Sequence, residues 1–179
     1  MSESWFWTRI TGLDHFLYRD GALYAEDVPV AEIAATVGTP FYVYSTATLK
    51  RHFTLFDEAL SWGEHLVCFA MKSNSNQAVI KLLGDLGAGM DVVSGGEYAR
   101  ANAGGSPGER IVFSGVGKTR AEMRQVLTGG VRQFNVESEP ELARLSEVAT
   151  AMGRTAPITV RVNPDVDAKT HAKNSTGKY

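Results

Sequence analysis

A repeat of one strand and one helix extends over most of this chain. From Ser45 onward, short apolar runs typical of strands alternate with segments whose apolar residues recur at helical spacing. The strand centres recur roughly every 20 to 26 residues, the period of a βα unit with short loops. This alternation predicts a parallel sheet with right-handed crossovers and helices packed on it.

The repeat contains five predicted strands and five predicted helices. The strands are expected at residues 66–71, 89–93, 110–113, 131–136 and 158–162. The helices are expected at residues 46–62, 77–86, 96–103, 119–127 and 139–152. Ser45 is the expected N-cap of the first helix. The first strand is a continuous apolar run, which predicts a strand buried on both faces.

The residues before Ser45 have a different pattern. Short runs bounded by turn residues predict strands at 15–18, 21–24, 28–30 and 41–44, with a short helix at 31–37. We therefore expect a β-rich segment, residues 1–44, followed by the repeating part, residues 45–179.

The repeat can form either a (β/α)₈ barrel or an open doubly wound sheet. No Gly-x-Gly-x-x-Gly follows its first strand, which weighs against a dinucleotide-binding sheet. In a barrel, the chemistry collects at the carboxyl ends of the strands. Those ends hold Lys72, Asp91, Ser114-Gly115, Glu137-Ser138 and Arg161 to Asn163. The expected fold class is α/β; the missing glycine motif favours the barrel, and the open sheet remains the alternative.

Lys72 follows the apolar run of the first repeat strand and precedes the polar stretch Ser73 to Asn76. A lysine at this point is expected to be half buried, and burial favours the neutral form of an amine. A neutral lysine is a nucleophile that can form a Schiff base with a carbonyl compound. The alternative is a solvated lysine that only marks where the strand meets water.

Composition limits the classes of partner. The 18 basic and 20 acidic residues give a net charge of −2 with no basic stripe, so we expect no nucleic-acid partner. No window approaches the ~20 apolar residues of a membrane span. Residues 1–9 lack the long apolar stretch of a signal peptide. The single cysteine, Cys68, is expected to fill the core, and we expect a cytoplasmic protein.

Six motifs occur in the order typical of one enzyme family. They are FYVY (41–44), FAMKSNSN (69–76), GAGMDVVSGGE (87–97), FSGVGKT (113–119), FNVES (134–138) and RVNPDVDAKTH (161–171). With these motifs the chain resembles the N-terminal part of the diaminopimelate decarboxylase family, among the alanine-racemase-like, fold-type III pyridoxal-phosphate enzymes. The segment from Asn163 to His171, with Ser175-Thr176-Gly177, favours this branch over the ornithine and arginine decarboxylases.

The resemblance implies a (β/α)₈ barrel followed by a β-domain to which the N-terminal strands contribute. It implies that Lys72 holds pyridoxal 5'-phosphate covalently and that Asp91 lies in the pocket near this lysine. The alternative for Asp91 is a strand carboxylate bonded to a backbone turn. Arg161 matches a family arginine near the cofactor, and its alternative is a structural ion pair. Glu137 is expected only to cap the helix that follows it.

The resemblance further implies decarboxylation of meso-diaminopimelate to L-lysine, the last step of lysine biosynthesis, by a homodimer. Only about five of the eight βα units of a barrel are present. The family's phosphate loop and its partner for the pyridine nitrogen are missing, so we expect the 179-residue chain alone to be inactive. The alternatives are a non-catalytic remnant, a regulatory partner of a full-length relative, or a decarboxylase or racemase for another amino acid.

Overall fold

The structure, a computed structural model, describes residues 15–163. The motif residues from Pro164 to His171, and Ser175-Thr176-Gly177, lie outside this range. The described chain forms two compact units, residues 15–67 with 85–87, and residues 68–84 with 88–163. Within the described range, no helix is both long enough and apolar enough to cross a membrane.

The first unit begins with an antiparallel sheet of three short strands, in the order β1-β2-β3. They are β1 (Phe16–Arg19), β2 (Ala22–Ala25) and β3 (Val28–Pro29). Asp20 and Gly21 connect β1 to β2 with φ angles of 51° and 79°. Positive φ at both central residues is the signature of the tight turn that matches the twist of a hairpin. The hairpin predicted from the turn residues is therefore present.

Two helices follow in this unit, α1 (Val30–Val37) and α2 (Thr46–Ala59). Ser45 caps α2 as predicted, since its hydroxyl accepts the Thr48 backbone N–H at 3.0 Å. The Glu26 carboxylate accepts bonds from the Ala47 N–H and the Ser45 hydroxyl at the start of this helix. These bonds, first of all the one from Ala47, lower the pKa of Glu26. The same bonds connect the β2–β3 turn to the first turn of α2.

The strand predicted at residues 41–44 is wrong. This segment is irregular, and the Tyr42 side chain is 91% exposed. Aromatic and β-branched residues favour an extended backbone, but a strand also needs a partner for its backbone hydrogen bonds. Residues 41–44 pair with no strand in the part of the chain that the structure describes.

The second unit is a parallel sheet of five strands arranged in chain order. The strands are β4 (Cys68–Ala70), β5 (Gly89–Val92), β6 (Ile111–Phe113), β7 (Gln133–Val136) and β8 (Ile158–Val160). The helices between them are α3 (Gln77–Asp85), α4 (Gly95–Ala103), α5 (Arg120–Thr128) and α6 (Glu139–Ala151). An order without reversal is that of a barrel, because a doubly wound sheet has a switch point. The predicted partial TIM barrel is confirmed.

Each helix that follows β5, β6 or β7 begins at a hydroxyl N-cap. Ser94, Thr119 and Ser138 accept the backbone N–H three residues ahead, from Glu97, Glu122 and Glu141. These caps stop the helices from extending back into the loops. The loops that join β5, β6 and β7 to these helices therefore end at a fixed residue, where a side-chain hydroxyl bonds to the backbone of the helix.

The two faces of the sheet differ in polarity. The register pairs Asp91 with Val112 and Val112 with Gln133, so alternation puts Asp91, Ser114, Gln133 and Asn135 on one face. The opposite face carries fully buried or nearly fully buried apolar side chains: Met90, Val92, Ile111, Phe113, Phe134 and Val136. The expectation of a first strand buried on both faces is wrong, because β4 is only half buried. It is one of the two edge strands of the described sheet and lacks a neighbour on one side.

We expect Phe113→Ala to lower the free energy of unfolding by about 3–5 kcal/mol. The Phe113 ring is fully buried and packs on Phe134 with ring centroids 5.9 Å apart, so its removal leaves a cavity. Val116→Ala is the control, since Val116 is 84% exposed, and it should change stability by less than about 0.5 kcal/mol. Urea unfolding followed by circular dichroism measures both changes. Equal stability of the two variants would contradict this packing.

Candidate active site

Lys72 lies on a single 3₁₀ turn, Met71–Ser73, directly after β4. Met71 is fully buried, whereas the Lys72 side chain is exposed. The Ser73 hydroxyl donates to the Ala70 carbonyl at 2.7 Å and closes the turn. The sequence predicted a half-buried lysine at a strand end, and this is wrong because β4 ends two residues earlier. Within residues 15–163, the Lys72 amine makes neither a hydrogen bond nor an ion pair, and the residue is exposed, so a small molecule can reach it.

Asp91 lies on β5 and accepts the last hydrogen bond in a row of side chains that extends from β7 past the end of β6. The Gln133 amide donates to the Asn135 carbonyl oxygen at 2.9 Å, and the Asn135 amide donates to the Ser114 hydroxyl at 2.9 Å. Ser114 donates in turn to Asp91 Oδ1 at 2.5 Å. The described partner of Asp91 is thus Ser114, the residue directly after β6, and not a backbone turn. The chain of donors ends on a carboxylate, which fixes the direction of every bond.

Cys68 lies on the same face of the sheet as Asp91, because Ala70 is the register partner of Asp91. Burial raises the pKa of the Cys68 thiol, and the negative charge of Asp91 raises it further. The half-buried thiol therefore stays protonated at neutral pH. A protonated thiol is a weak nucleophile, so Cys68 is not a candidate catalytic group.

Arg161 follows β8, and its guanidinium bonds to Glu137 Oε2 at 3.0 Å. The other oxygen of Glu137 accepts the Gly115 backbone N–H at 2.8 Å. The Glu137 side chain is 8% exposed, whereas that of Arg161 is 46% exposed. The carboxylate therefore links the carboxyl ends of β6, β7 and β8 and leaves part of the guanidinium open to solvent.

The capping role predicted for Glu137 is wrong. Ser138 is the N-cap of α6, and its hydroxyl accepts the Glu141 backbone N–H. Ser138 has the extended backbone of an N-cap, with φ −160° and ψ 157°, and directly precedes the helix. Glu137 is one residue too early to cap the helix, and its carboxylate bonds to the neighbouring strand ends instead.

Lys118 is a polar residue to which the sequence assigned no role. Its side chain is fully buried, and its ammonium donates to the Gly115 carbonyl (2.6 Å), the Asn135 carbonyl (2.8 Å) and Glu141 Oε1 (2.7 Å). The ammonium also lies 5.6 Å from the centroid of the Phe113 ring. A lysine between a glycine and a helix cap has the sequence pattern of a surface residue. Its partner Glu141 is 23 positions away, so no local pattern could have shown the pair.

Glu122 is a second residue that the sequence did not single out. It forms a capping box with Thr119 at the start of α5. Its other oxygen accepts the backbone N–H of Gly95, the first residue of α4, at 2.8 Å. The bond from Gly95 and then the bonds from Thr119 lower the pKa of Glu122. The signal for the capping box was visible as Thr-x-x-Glu, but the bond to Gly95 was not.

A family model described as "Pyridoxal-dependent decarboxylase, pyridoxal binding domain" matches residues 46–179. The chain belongs to the pyridoxal-dependent decarboxylases. Within that class it is similar to the N-terminal part of diaminopimelate decarboxylases, as its motifs predicted. It is 54% identical over 166 residues to the enzyme of Vibrio cholerae and 52% identical over 165 residues to that of Pseudomonas aeruginosa. Each match covers 92% of this chain and 40% of the relative, so the chain spans about two fifths of their length.

The solved structures agree with this assignment. The diaminopimelate decarboxylase of M. jannaschii in co-complex with L-lysine matches with a TM-score of 0.84 and 38% identity, over 92% of this chain and 39% of that chain. A lysine/ornithine decarboxylase from Vibrio vulnificus matches with a TM-score of 0.66 at 20% identity, over 74% and 35% of the two chains, which shows the shared fold alone. The cofactor of the family is pyridoxal phosphate.

We expect the charge of Glu122 to stabilise the protein above the ordinary glutamate pKa of 4.5. A group with a depressed folded pKa stabilises above its unfolded pKa and loses that contribution as the pH falls through its folded pKa. At neutral pH, Glu122→Gln should therefore cost on the order of 0.5–1 kcal/mol. Urea unfolding of both proteins, from neutral pH to below pH 4.5, should show the difference shrinking with acid. A difference that stays constant over this range would contradict the assignment.

Proposed function

We propose that this chain forms the N-terminal, cofactor-holding part of a decarboxylase that converts meso-diaminopimelate into L-lysine and CO₂. The accessible amine of Lys72 carries the proposal, at the carboxyl edge of the sheet in a domain of the pyridoxal-binding family. The substrate assignment is supported by relatives above 50% identity that are diaminopimelate decarboxylases, and by one solved relative in co-complex with L-lysine.

The residues present fit the chemistry of the cofactor. Its aldehyde requires a primary amine that is accessible, and Lys72 is exposed and unpaired among the described residues. Asp91 supplies a carboxylate near the same edge, held by Ser114. Arg161 has one terminal nitrogen bonded to Glu137 and further N–H donors, in a half-exposed guanidinium, for an anionic group.

Each of these side chains has a distinct proposed task. When bound, pyridoxal phosphate delocalises the electron pair that remains on the α-carbon after CO₂ leaves. Lys72 would hold the cofactor through its amine and, when that amine is free, would supply a proton to that carbon. Asp91 balances the charge of the lysine amine, and Arg161 orients an anionic group of the bound molecules.

Four further features remain proposals for the whole protein. They are a homodimer, a cytoplasmic location, an amino-acid substrate, and the division into a β-rich segment, residues 1–44, and a barrel part, residues 45–179. The family resemblance supports the dimer and the substrate. A non-catalytic remnant or regulatory partner would have the same fold, so activity of the gene product is the test that separates these functions.

We expect Lys72→Ala to abolish the covalent attachment of pyridoxal 5'-phosphate. The purified protein is incubated with the cofactor, reduced with borohydride and digested, and the modified peptide is identified by mass spectrometry. The wild type should be modified at Lys72, because this exposed lysine follows β4 at the carboxyl edge of the parallel sheet. Lys50→Ala, at an exposed position on α2, is the control and should keep the modification. A wild-type protein modified equally at several lysines would argue against a specific cofactor lysine.

We expect the product of the intact gene to release CO₂ from meso-diaminopimelate and to form L-lysine in equal amount. L-Ornithine and L-arginine serve as competing substrates in the same assay. Preference for either of them would replace the substrate assignment while leaving the enzyme class. A gene product that carries the Lys72-bound cofactor but decarboxylates none of the three would favour the non-catalytic alternative.

A further inference from the structure

One buried lysine, Lys118, connects the two side chains proposed for the cofactor pocket, Asp91 and Arg161. We propose that Lys118 is a positioning residue that acts through the ends of β6 and β7 and holds both side chains in place. This inference rests on the function proposed above for Asp91 and Arg161. Lys118 itself is fully buried, and its ammonium donates to two backbone carbonyls and to Glu141. It therefore does not contact a ligand directly.

The first connection passes through Gly115, in the loop after β6. Gly115 has φ 92°, and a Cβ at this position would press on Val93. Its carbonyl accepts from Lys118 at 2.6 Å, and its N–H donates to Glu137 at 2.8 Å. Both backbone groups of this glycine are therefore bonded, and the turn is held in one conformation.

The second connection passes through β7 and leads to Asp91. Lys118 donates to the Asn135 carbonyl at 2.8 Å, which holds the backbone of the residue whose side chain bonds to Ser114. Ser114 in turn donates to Asp91. A shift of the β7 end would move the Asn135 amide and, through Ser114, the hydrogen bond that Asp91 accepts.

The third connection leads to Arg161. Glu141 bonds to Lys118 with one oxygen, at 2.7 Å, and accepts the Glu137 backbone N–H with the other, at 3.4 Å. The Glu137 carboxylate binds the Arg161 guanidinium. Glu137, the residue that binds Arg161, is therefore held in two ways. Glu141 accepts its backbone N–H, and Gly115, which is bonded to Lys118, donates to its carboxylate.

Stability alone does not explain a lysine at this position. Replacing a buried ion pair by neutral or apolar residues of similar volume is often neutral or stabilising. A lysine ammonium has three N–H donors, and here three acceptors on β7, α6 and the β6 loop match them. An apolar residue would fill the volume but would leave the two strand ends without a common partner.

The test uses the double variant Lys118→Met/Glu141→Gln in the product of the intact gene. It removes the ammonium without leaving a buried, unpaired carboxylate, and the glutamine can still accept from Glu137. The matched control is Arg120→Met/Glu147→Gln, which removes an exposed ion pair between the first residue of α5 and α6. Two quantities are measured. The first is the hydrogen-exchange protection of the Gly115 amide, and the second is the affinity for pyridoxal 5'-phosphate, read from the absorbance of the bound cofactor.

We expect the double variant to lose at least about tenfold in Gly115 protection and at least about tenfold in cofactor affinity. The control should stay within about twofold in both quantities, because an exposed ion pair contributes little. Wild-type values of both quantities in the double variant would overturn the proposal. If the wild type takes up no cofactor at Lys72, the proposed function fails, while Gly115 exchange still decides whether Lys118 holds the strand ends.

A second variant, Lys118→Arg, covers the case in which the double variant does not fold. Arginine keeps the charge opposite Glu141, but its planar guanidinium cannot occupy the same point between the two carbonyls. It should fold and should lose Gly115 protection and cofactor affinity in the same direction. Unfolding of both variants would assign Lys118 to stability alone and would overturn the positioning role.

Discussion

Parallel pairing of five consecutive strands is the constraint on which the described barrel part depends. Because neighbouring strands run the same way, every loop that follows a strand lies at one edge of the sheet. The backbone ladder continues past the assigned strands, from Ser114 to Val92 and from Arg161 to Val136. The backbones of Ser114 and Arg161 are therefore held by regular sheet hydrogen bonds, which fix the positions from which their side chains extend.

The alternation of side chains then separates packing from chemistry. One face carries the apolar residues around Phe113 and Phe134, and the other carries the bonded row from Gln133 to Asp91. A one-residue slip of any strand would exchange the two sets and bury the polar row. The apolar contacts thus fix the register, and the register fixes which polar groups meet.

Periodicity was enough to predict the elements, their order and the edge at which polar residues collect. It failed at residues 41–44, because propensity does not show whether a strand finds a partner. It also failed at Lys72, because a six-residue apolar run does not show where β4 ends and a 3₁₀ turn begins. The bonds of Glu137 were missed for a third reason, since they join residues 22 and 24 positions apart on other strand ends.

Lys118 and Glu141 show most clearly that the sequence alone does not reveal contacts between distant residues. Each residue alone has the pattern of a charged surface position beside a helix start, and burial of either one alone would be strongly unfavourable. Burial becomes tolerable only because the two charges meet and the remaining donors find the Gly115 and Asn135 carbonyls. Those carbonyls belong to the loop and strand that carry the bonds to Glu137 and Ser114. A charge pair hidden beneath the polar edge can therefore determine the geometry of side chains that it does not touch.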